Sequence, residues 1–240
     1  MKDQPKNKLR LRIGFPLKNW TTALTPPRTP MVGSWCCMEP INPNNHTDAL
    51  FMAFSEDLEN RNWSYLPYGP FETKKAFNGW IRETCLGSDP LFYAIIDKSN
   101  NKALGISSYL RITPNVGVIE AGHIHYAPAL QNSTAGTEAM YLMMKRAFEE
   151  LGYRRYEWKC DALNFSSRKA AERLGMTFEG VFRQATIYKN RNRDTAWFSL
   201  LDIEWPRMKQ VFELWLNPNN FSREGSQINR LQDLFPSKPL

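Results

Sequence analysis

Between Leu91 and Tyr126 three β-type runs follow one another with no helical pattern between them: "LFYAIID", "ALGISSYLRI" and the stretch 116–126. The turn-rich "KSNNK" separates the first two and marks a hairpin. Strands joined by such short turns lie antiparallel, since a parallel return needs a crossover of a dozen or more residues. The third run leads instead into "PALQNSTAGTEAM" (128–140) and then into a helix pattern. There Met140, Met143, Met144, Ala147, Phe148 and Leu151 keep the i, i+3, i+4, i+7 spacing, and Gly152 is placed to end the helix. Such a Met-rich stripe reads as core filling. "RRYEWKC" follows as a strand, then "SSRKAAERLG" as a short helix ended by Gly175. "FRQATIYK" and "TAWFSLLDIEW" are two more strands, joined by the polar turn "KNRNRD". Upstream, Val32 to Met38 reads as a strand and 44–57 as an amphipathic helix. Thr73 caps a second helix to about Thr84, and a last short helix is expected over 207–216. The sum is an α+β chain with a mixed, mostly antiparallel sheet in one domain.

The chain has 240 residues, 42% of them hydrophobic and 23% charged, which suits a globular protein with a sizeable core. No apolar stretch approaches the roughly 18 residues that span a bilayer. The basic start, 1–12, lacks the apolar region of a secretory signal. Cys36, Cys37, Cys85 and Cys160 show no C-x-x-C spacing, so the expectation is a reduced, cytoplasmic protein. Net charge is +7, a value that invites a nucleic-acid reading. Its placement argues against one: residues 1–30 hold seven basic side chains against Asp3 alone, and the rest of the chain is close to neutral. The organisation expected is a basic, irregular extension (1–31) dispensable for chemistry, a main domain (32–205), and a C-terminal helix and tail (206–240). A homodimer stays open.

The junction at 131–137 admits two readings. Ser133 or Thr134 could simply cap the helix, with Glu138 in its first turn. Alternatively, small residues at a helix start let a phosphate approach free backbone amides, where the helix dipole adds about half a positive charge. On the second reading, replacing Gly136 with Leu should abolish phosphate binding while leaving the fold intact.

The stretch from Glu120 to Gly180 resembles the acyl-CoA-binding core of the GCN5-related N-acetyltransferase (GNAT) superfamily, and within it the branch of ribosomal-protein N-terminal acetyltransferases. Gln131, Asn132, Ser133, Thr134, Ala135 and Gly136 fall on that superfamily's Gln/Arg-x-x-Gly-x-Gly/Ala pyrophosphate loop, with Thr134 at the first glycine and Thr137 continuing the loop. Downstream, "NFSSRKAAERLGMTFEG" matches the branch's N-x-x-S…LGF…EG segment through Asn164, Ser167, Gly175, Met176 and Gly180. The resemblance implies transfer of an acyl group, acetyl or a longer or acidic one such as succinyl, from acyl-CoA to the primary amine of a small molecule or peptide. A non-catalytic acyl-CoA-binding protein of the same fold is the alternative. No metal is implied.

The same resemblance assigns roles by position. The loop 131–137 would grip the pyrophosphate, the strand carrying His125 and Tyr126 would hold the thioester carbonyl, and Asn164 would orient the pantetheine. Ser167 would protonate or hydrogen-bond the leaving thiolate. The glutamate base of some relatives is Thr186 here, and the tyrosine acid of others is Ala171, so neither carries over. His125 and Glu120 remain as bases acting through water, with Asp194 and Tyr188 as further candidates. His123 and His125 alternate along one strand but have no third metal ligand near them in sequence. In the aromatic loop 63–71, Trp63, Tyr65 and Tyr68 are placed either as a wall for the acceptor amine or as packing under a loop.

Overall fold

The computed structural model of the chain describes residues 4–223 and 225–235. The three consecutive runs form β3 (Leu91–Asp97), β4 (Lys102–Thr113) and β5 (Val118–Tyr126). They pair antiparallel in chain order, as short turns require. Ahead of them the single strand expected near 32–38 is two short ones, β1 (Met31–Val32) and β2 (Cys36–Pro40), folded on each other around Gly33. Cys36 is fully buried while Cys37 is partly exposed, as strand alternation dictates, and all four cysteines are free.

The helices α1 (Pro43–Ser55) and α2 (Lys74–Thr84) connect β2 to β3. Thr73 caps α2 by accepting the Ala76 N–H. Phe54 of α1 and Phe77 and Trp80 of α2 pack on one face of the sheet. The opposite face takes α3 (Thr134–Lys145), whose Met140, Met143 and Met144 are buried as the periodicity requires. A π-turn, Arg146–Glu150, continues α3, and Gly152 at φ +76° closes it. Then come β6 (Arg155–Asp161), α4 (Phe165–Arg173), β7 (Thr177–Tyr188), β8 (Arg191–Leu201) and α5 (Trp205–Leu216). The eight strands make one sheet in the order β1-β2-β3-β4-β5-β6-β8-β7, and β5 with β6 is its one parallel pair among the described residues.

Glu138 does not serve the start of its own helix. Its buried carboxylate accepts the N–H groups of Ser34, Trp35 and Cys36 at 2.8, 2.6 and 2.7 Å, which ties α3 to the β1–β2 turn. Gly33 leaves the space for it, since a Cβ there would lie 2.3 Å from the carboxyl carbon.

Two boundaries differ from expectation. Residues 4–19 are irregular and largely exposed, but 20–30 form a strap packed on the body. Ala23 and Leu24 donate backbone bonds to Pro114 and Leu151, and Arg28 reaches the carbonyls of Leu86 and Gly87. The buried Arg146 donates to the carbonyls of Thr29 and Pro30 at 2.8 and 2.7 Å. This part of the extension is structural, because it supplies acceptors to a buried cation. At the other end α5 lays Trp205 and Phe212 on Tyr141 of α3, and Leu231 is fully buried. The C-terminal segment through residue 235 therefore packs on the body, and 236–240 lie outside the described residues.

Candidate active site

Parallel pairing of β5 with β6 lasts for four residues, Val118–Ala121 against Arg155–Trp158. Beyond them the strands part, Gly122–Tyr126 staying with β4 and Lys159–Asp161 with β8. A bulge contributes to the parting: Ile106 pairs with His125 and Ser108 with Gly122, so His123 and Ile124 together oppose Ser107. His123 takes φ +52° there. A bulge of this kind bends its strand and sharpens the local twist. Ala127 N donates to Leu104 of β4, so strand alternation turns the amides of Tyr126 and Ile124 toward the gap. The carbonyl of Tyr126 already accepts from the Gln131 side chain at 3.1 Å.

At one end of the gap stands the start of α3. Ser133 Oγ accepts the Gly136 N–H at 2.9 Å and donates to the Leu130 carbonyl at 2.7 Å, so the plain cap exists. It does not exclude the cradle. Capping satisfies one first-turn donor, and the amides of Thr134 and Ala135 belong to the set that a helix start leaves without internal acceptors. Asn132, at φ +55°, turns the chain into this arrangement, and the residues from 131 to 134 are at least partly exposed. Gly136 faces inward instead. A Cβ on it would sit 2.8 Å from the Leu130 carbonyl oxygen and 3.0 Å from the Tyr126 ring. Replacing it with Leu would therefore disrupt the fold, contrary to the expectation above. The Tyr126 hydroxyl, which donates to the Gly136 carbonyl at 2.9 Å, braces the same turn.

Next to the gap lies a cavity of about 550 Å³ bounded by β5, β6, β8, the loop 62–67 and the start of α4. Asn164 and Ser167 line it together. Asn164 is the cap of α4, accepting the Ser167 N–H at 3.1 Å, so Ser167 is not itself the cap. Instead the Ser167 hydroxyl accepts the Trp158 indole N–H at 2.9 Å, which leaves its own proton to donate. Cys160 is beside it; burial pushes that thiol up, partly offset by the hydrogen bond with Ser167.

Glu120 also lines the cavity, but its buried carboxylate is bound by Arg111 at 2.7 Å and by Lys159 at 2.8 Å. Lys159 reaches Glu157 as well, at 2.7 Å, and stacks 3.8 Å over the Trp197 ring. The two histidines lie in one aromatic cluster yet differ in position. His123 lines the cavity and shares a 3.1 Å hydrogen bond with the Tyr68 hydroxyl. Burial, helped by Arg111 and Arg193, lowers its pKa to about 4. His125 is 2% exposed, stacked 4.1 Å from Phe54 and edge-on to Trp63 at 3.9 Å, and does not line the cavity. Burial lowers it to about 3, and neither ring nitrogen has a partner among the described residues.

Of the aromatic loop, Tyr65 lines the cavity, its hydroxyl donating to Leu163 O at 3.2 Å. Trp63 is 4% exposed and packs on Phe54 and Phe71, so it is core. Tyr68 does not line the cavity and meets it only through its hydrogen bond with His123. The β7–β8 hairpin closes over the loop: Lys189 donates to Trp63 O at 2.8 Å and Arg191 to Ser64 O at 2.7 Å. Tyr188 lines the cavity and donates to Asp161 at 2.8 Å. Asp194 instead receives the Gln184 N–H and does not line it. Sequence reasoning passed over Asp161, Arg193 and Trp197, which line the cavity from strand ends and carry no motif.

The model of the GNAT acetyltransferase domain matches residues 37–177, spanning the splayed strands, the start of α3 and α4. The chain belongs to the GNAT acetyltransferase family. It is an acyl-CoA-dependent acyltransferase. A GCN5-related N-acetyltransferase from Brucella melitensis is 44% identical, with 91% of this chain and 99% of that one covered and a TM-score of 0.89. A probable GNAT-family acetyltransferase from Chromobacterium violaceum is 42% identical over 82% of this chain and 98% of that one, at TM-score 0.76. The microcin C7 self-immunity acetyltransferase MccE, solved with acetyl-CoA and AMP, shares the fold at 18% identity, with 74% and 98% covered and a TM-score of 0.62. No curated protein matches. Among the described residues of this GNAT chain no helix is long and apolar enough to cross a membrane, and no three His, Cys, Asp or Glu side chains cluster as metal ligands.

Proposed function

We propose that this GNAT acyltransferase moves an acetyl group from acetyl-CoA to the primary amine of a small acceptor by direct attack on the thioester. The carrying observation is the gap between β5 and β6, with the amides of α3 at one end and Ser167 at the cavity beside it. The backbone at 131–137 grips the pyrophosphate, and Asn164 holds the turn past which the pantetheine arm runs. The amides of Ile124 and Tyr126 receive the thioester carbonyl as it gains negative charge, where fixed donors matter most. The Ser167 hydroxyl, held by Trp158, donates to the departing thiolate.

For the ammonium proton, His123 is better placed than Glu120 or His125. Glu120 is tied to two cations, and His125 is packed away from the cavity. His123 faces the cavity, so its geometry places it to receive the proton, while burial keeps the imidazole neutral and makes it a weaker base than a free one. The β7–β8 hairpin, pinned to the loop 62–67 beside the cavity, favours a small acceptor over a folded protein surface.

Release of free thiol from acetyl-CoA, measured over a panel of amines, tests this reading. Turnover with a small amine, lowered about 100-fold in His123→Gln with acetyl-CoA affinity retained, is the expected result. Full activity in that variant would remove His123 from the reaction.

A further inference from the structure

The charges lining the cavity are not all accounted for by the reaction above. Glu120 is neutralised by Arg111 and Lys159, and Lys159 continues to Glu157, which in turn is bound by Arg155 at 2.6 Å. Two charged side chains stand outside this network. The Arg193 side chain makes no ion pair or hydrogen bond among the described residues, although its Nε is buried. Asp161, 4% exposed, accepts only neutral donors among the described residues, the Tyr188 hydroxyl at 2.8 Å and the Leu163 N–H at 2.9 Å. They face the same space without being paired to each other. A buried guanidinium nitrogen with no acceptor loses hydration that nothing among the described residues returns, and the two neutral donors to Asp161 compensate its hydrogen bonding but not its charge.

Both deficits are filled by one kind of ligand. A second buried donor without a partner, Trp197 Nε1, lies on the same side of β8 as Arg193 and also lines the cavity. We propose that the acceptor is a zwitterion, an amine that also carries a carboxylate, with Arg193 receiving the carboxylate and Asp161 steering the ammonium group. One uncompensated guanidinium matches a singly charged carboxylate better than a doubly charged phosphate, and its planar donors suit carboxylate geometry. Once the amine has lost its proton and attacked, Arg193 still holds the acceptor in place. Its role is therefore to select and position the substrate, while His123 and Ser167 handle the protons. The assignment rests on the acyltransferase reading and goes beyond it by naming the acceptor class.

Matched pairs test it: each common amino acid against its own carboxamide, with acetyl-CoA as donor and free thiol as readout, on the full-length protein. The wild type should prefer at least one amino acid over its amide by about 10- to 100-fold in kcat/KM. Arg193→Gln should erase that preference chiefly by raising KM, and Arg193→Lys should restore part of it. The ¹⁵Nε–H signal of Arg193, identified by its loss in Arg193→Gln, should shift with that amino acid and stay still with its amide. This signal reports binding whether or not turnover occurs. A shift without turnover keeps the zwitterion site and sinks the acyl-transfer reading instead. Equal use of acids and amides by an active wild type, or an Nε signal that ignores every amino acid, overturns the inference. So does a signal that moves only with succinyl-CoA, because the carboxylate would then arrive on the acyl donor.

Discussion

The proposed acyl-CoA side of the site and the proposed acceptor side are made from different materials. On the proposed acyl-CoA side the chemistry is backbone: at the start of α3 the amides of Thr134 and Ala135 are left without internal acceptors, and the Ser133 cap fixes the turn that carries them. On the acceptor side it is side chains brought together from β5, β6, β8 and the loop 62–67. A backbone site tolerates changes of side chain and fails when its support moves. A side-chain site fails one residue at a time. The predictions below separate these two modes of failure, in order of falling effect.

The cradle should be most sensitive at a residue that never touches a ligand. Glu138 is buried and holds three amides of the β1–β2 turn. Glu138→Ala leaves those donors unsatisfied and should cost about 4 kcal/mol of unfolding free energy. Denaturant titration measures it. A loss near 1 kcal/mol would mean that water replaces the carboxylate and that the cradle is not anchored there.

The strap supports the same helix from its other end. Deleting residues 1–19 should leave the melting temperature in place. Deleting 1–30 takes both carbonyl acceptors from the buried Arg146 and should cost about 3 kcal/mol. Comparing the two truncations by thermal unfolding isolates the strap. Equal melting points would return 20–30 to the status of a dispensable tail.

These differences explain what was legible in the sequence. The antiparallel pairing of β3, β4 and β5, the helix faces and the small-residue start of α3 are local: three consecutive runs, an i, i+3, i+4 stripe, a contiguous loop. The Thr73 cap and the burial of Met143 follow from spacing alone. The acceptor side depends on register between distant segments. Whether Thr195 lies opposite Asp161, which puts Arg193 beyond the end of β6, cannot be read from either stretch by itself. His123 and His125 looked equivalent by alternation. What separates them is the packing of Phe54 and Trp63, which comes from α1 and the loop after it. The N-terminus misled because 1–30 read as one Pro-containing basic stretch, whereas its lysines all precede residue 20 and 20–30, with three prolines and Arg28, is the part that packs on the body.

On the acceptor side, Ser167→Ala should lower the maximal rate by about 100-fold, roughly 2.7 kcal/mol of transition-state stabilisation. The KM for acetyl-CoA should barely move. The variant also strips the Trp158 indole of its acceptor, so a stability loss of about 1 kcal/mol is expected alongside. Trp158→Phe discriminates: it keeps the hydroxyl, frees its orientation, and should lower the rate by a smaller factor. A melting-point drop at full rate in Ser167→Ala would leave the serine a purely structural part of α4.

The two histidines give the smallest and most direct comparison of site with core. Burial holds His125 at about 3 and His123 at about 4 in the folded chain, against an ordinary value of 6.5. As pH falls below about 6.5 the unfolded chain takes up protons that the native chain refuses, so stability is lost on acidification and is pH-independent near neutrality. The loss approaches about 1.4 kcal/mol per pH unit for each histidine, or about 1 kcal/mol each between about pH 7 and about pH 5.5. His125→Phe keeps a flat ring between Phe54 and Trp63 and removes two unpartnered nitrogens. It should reduce the acid sensitivity by half, hold stability at neutral pH, and retain turnover. His123→Phe should reduce the sensitivity equally but lower turnover about 100-fold. Urea titrations of the three proteins at the two pH values, with thiol release measured beside them, decide the matter. Loss of turnover in His125→Phe at unchanged stability would put His125 back into the reaction and dissolve the division between core and site on this strand.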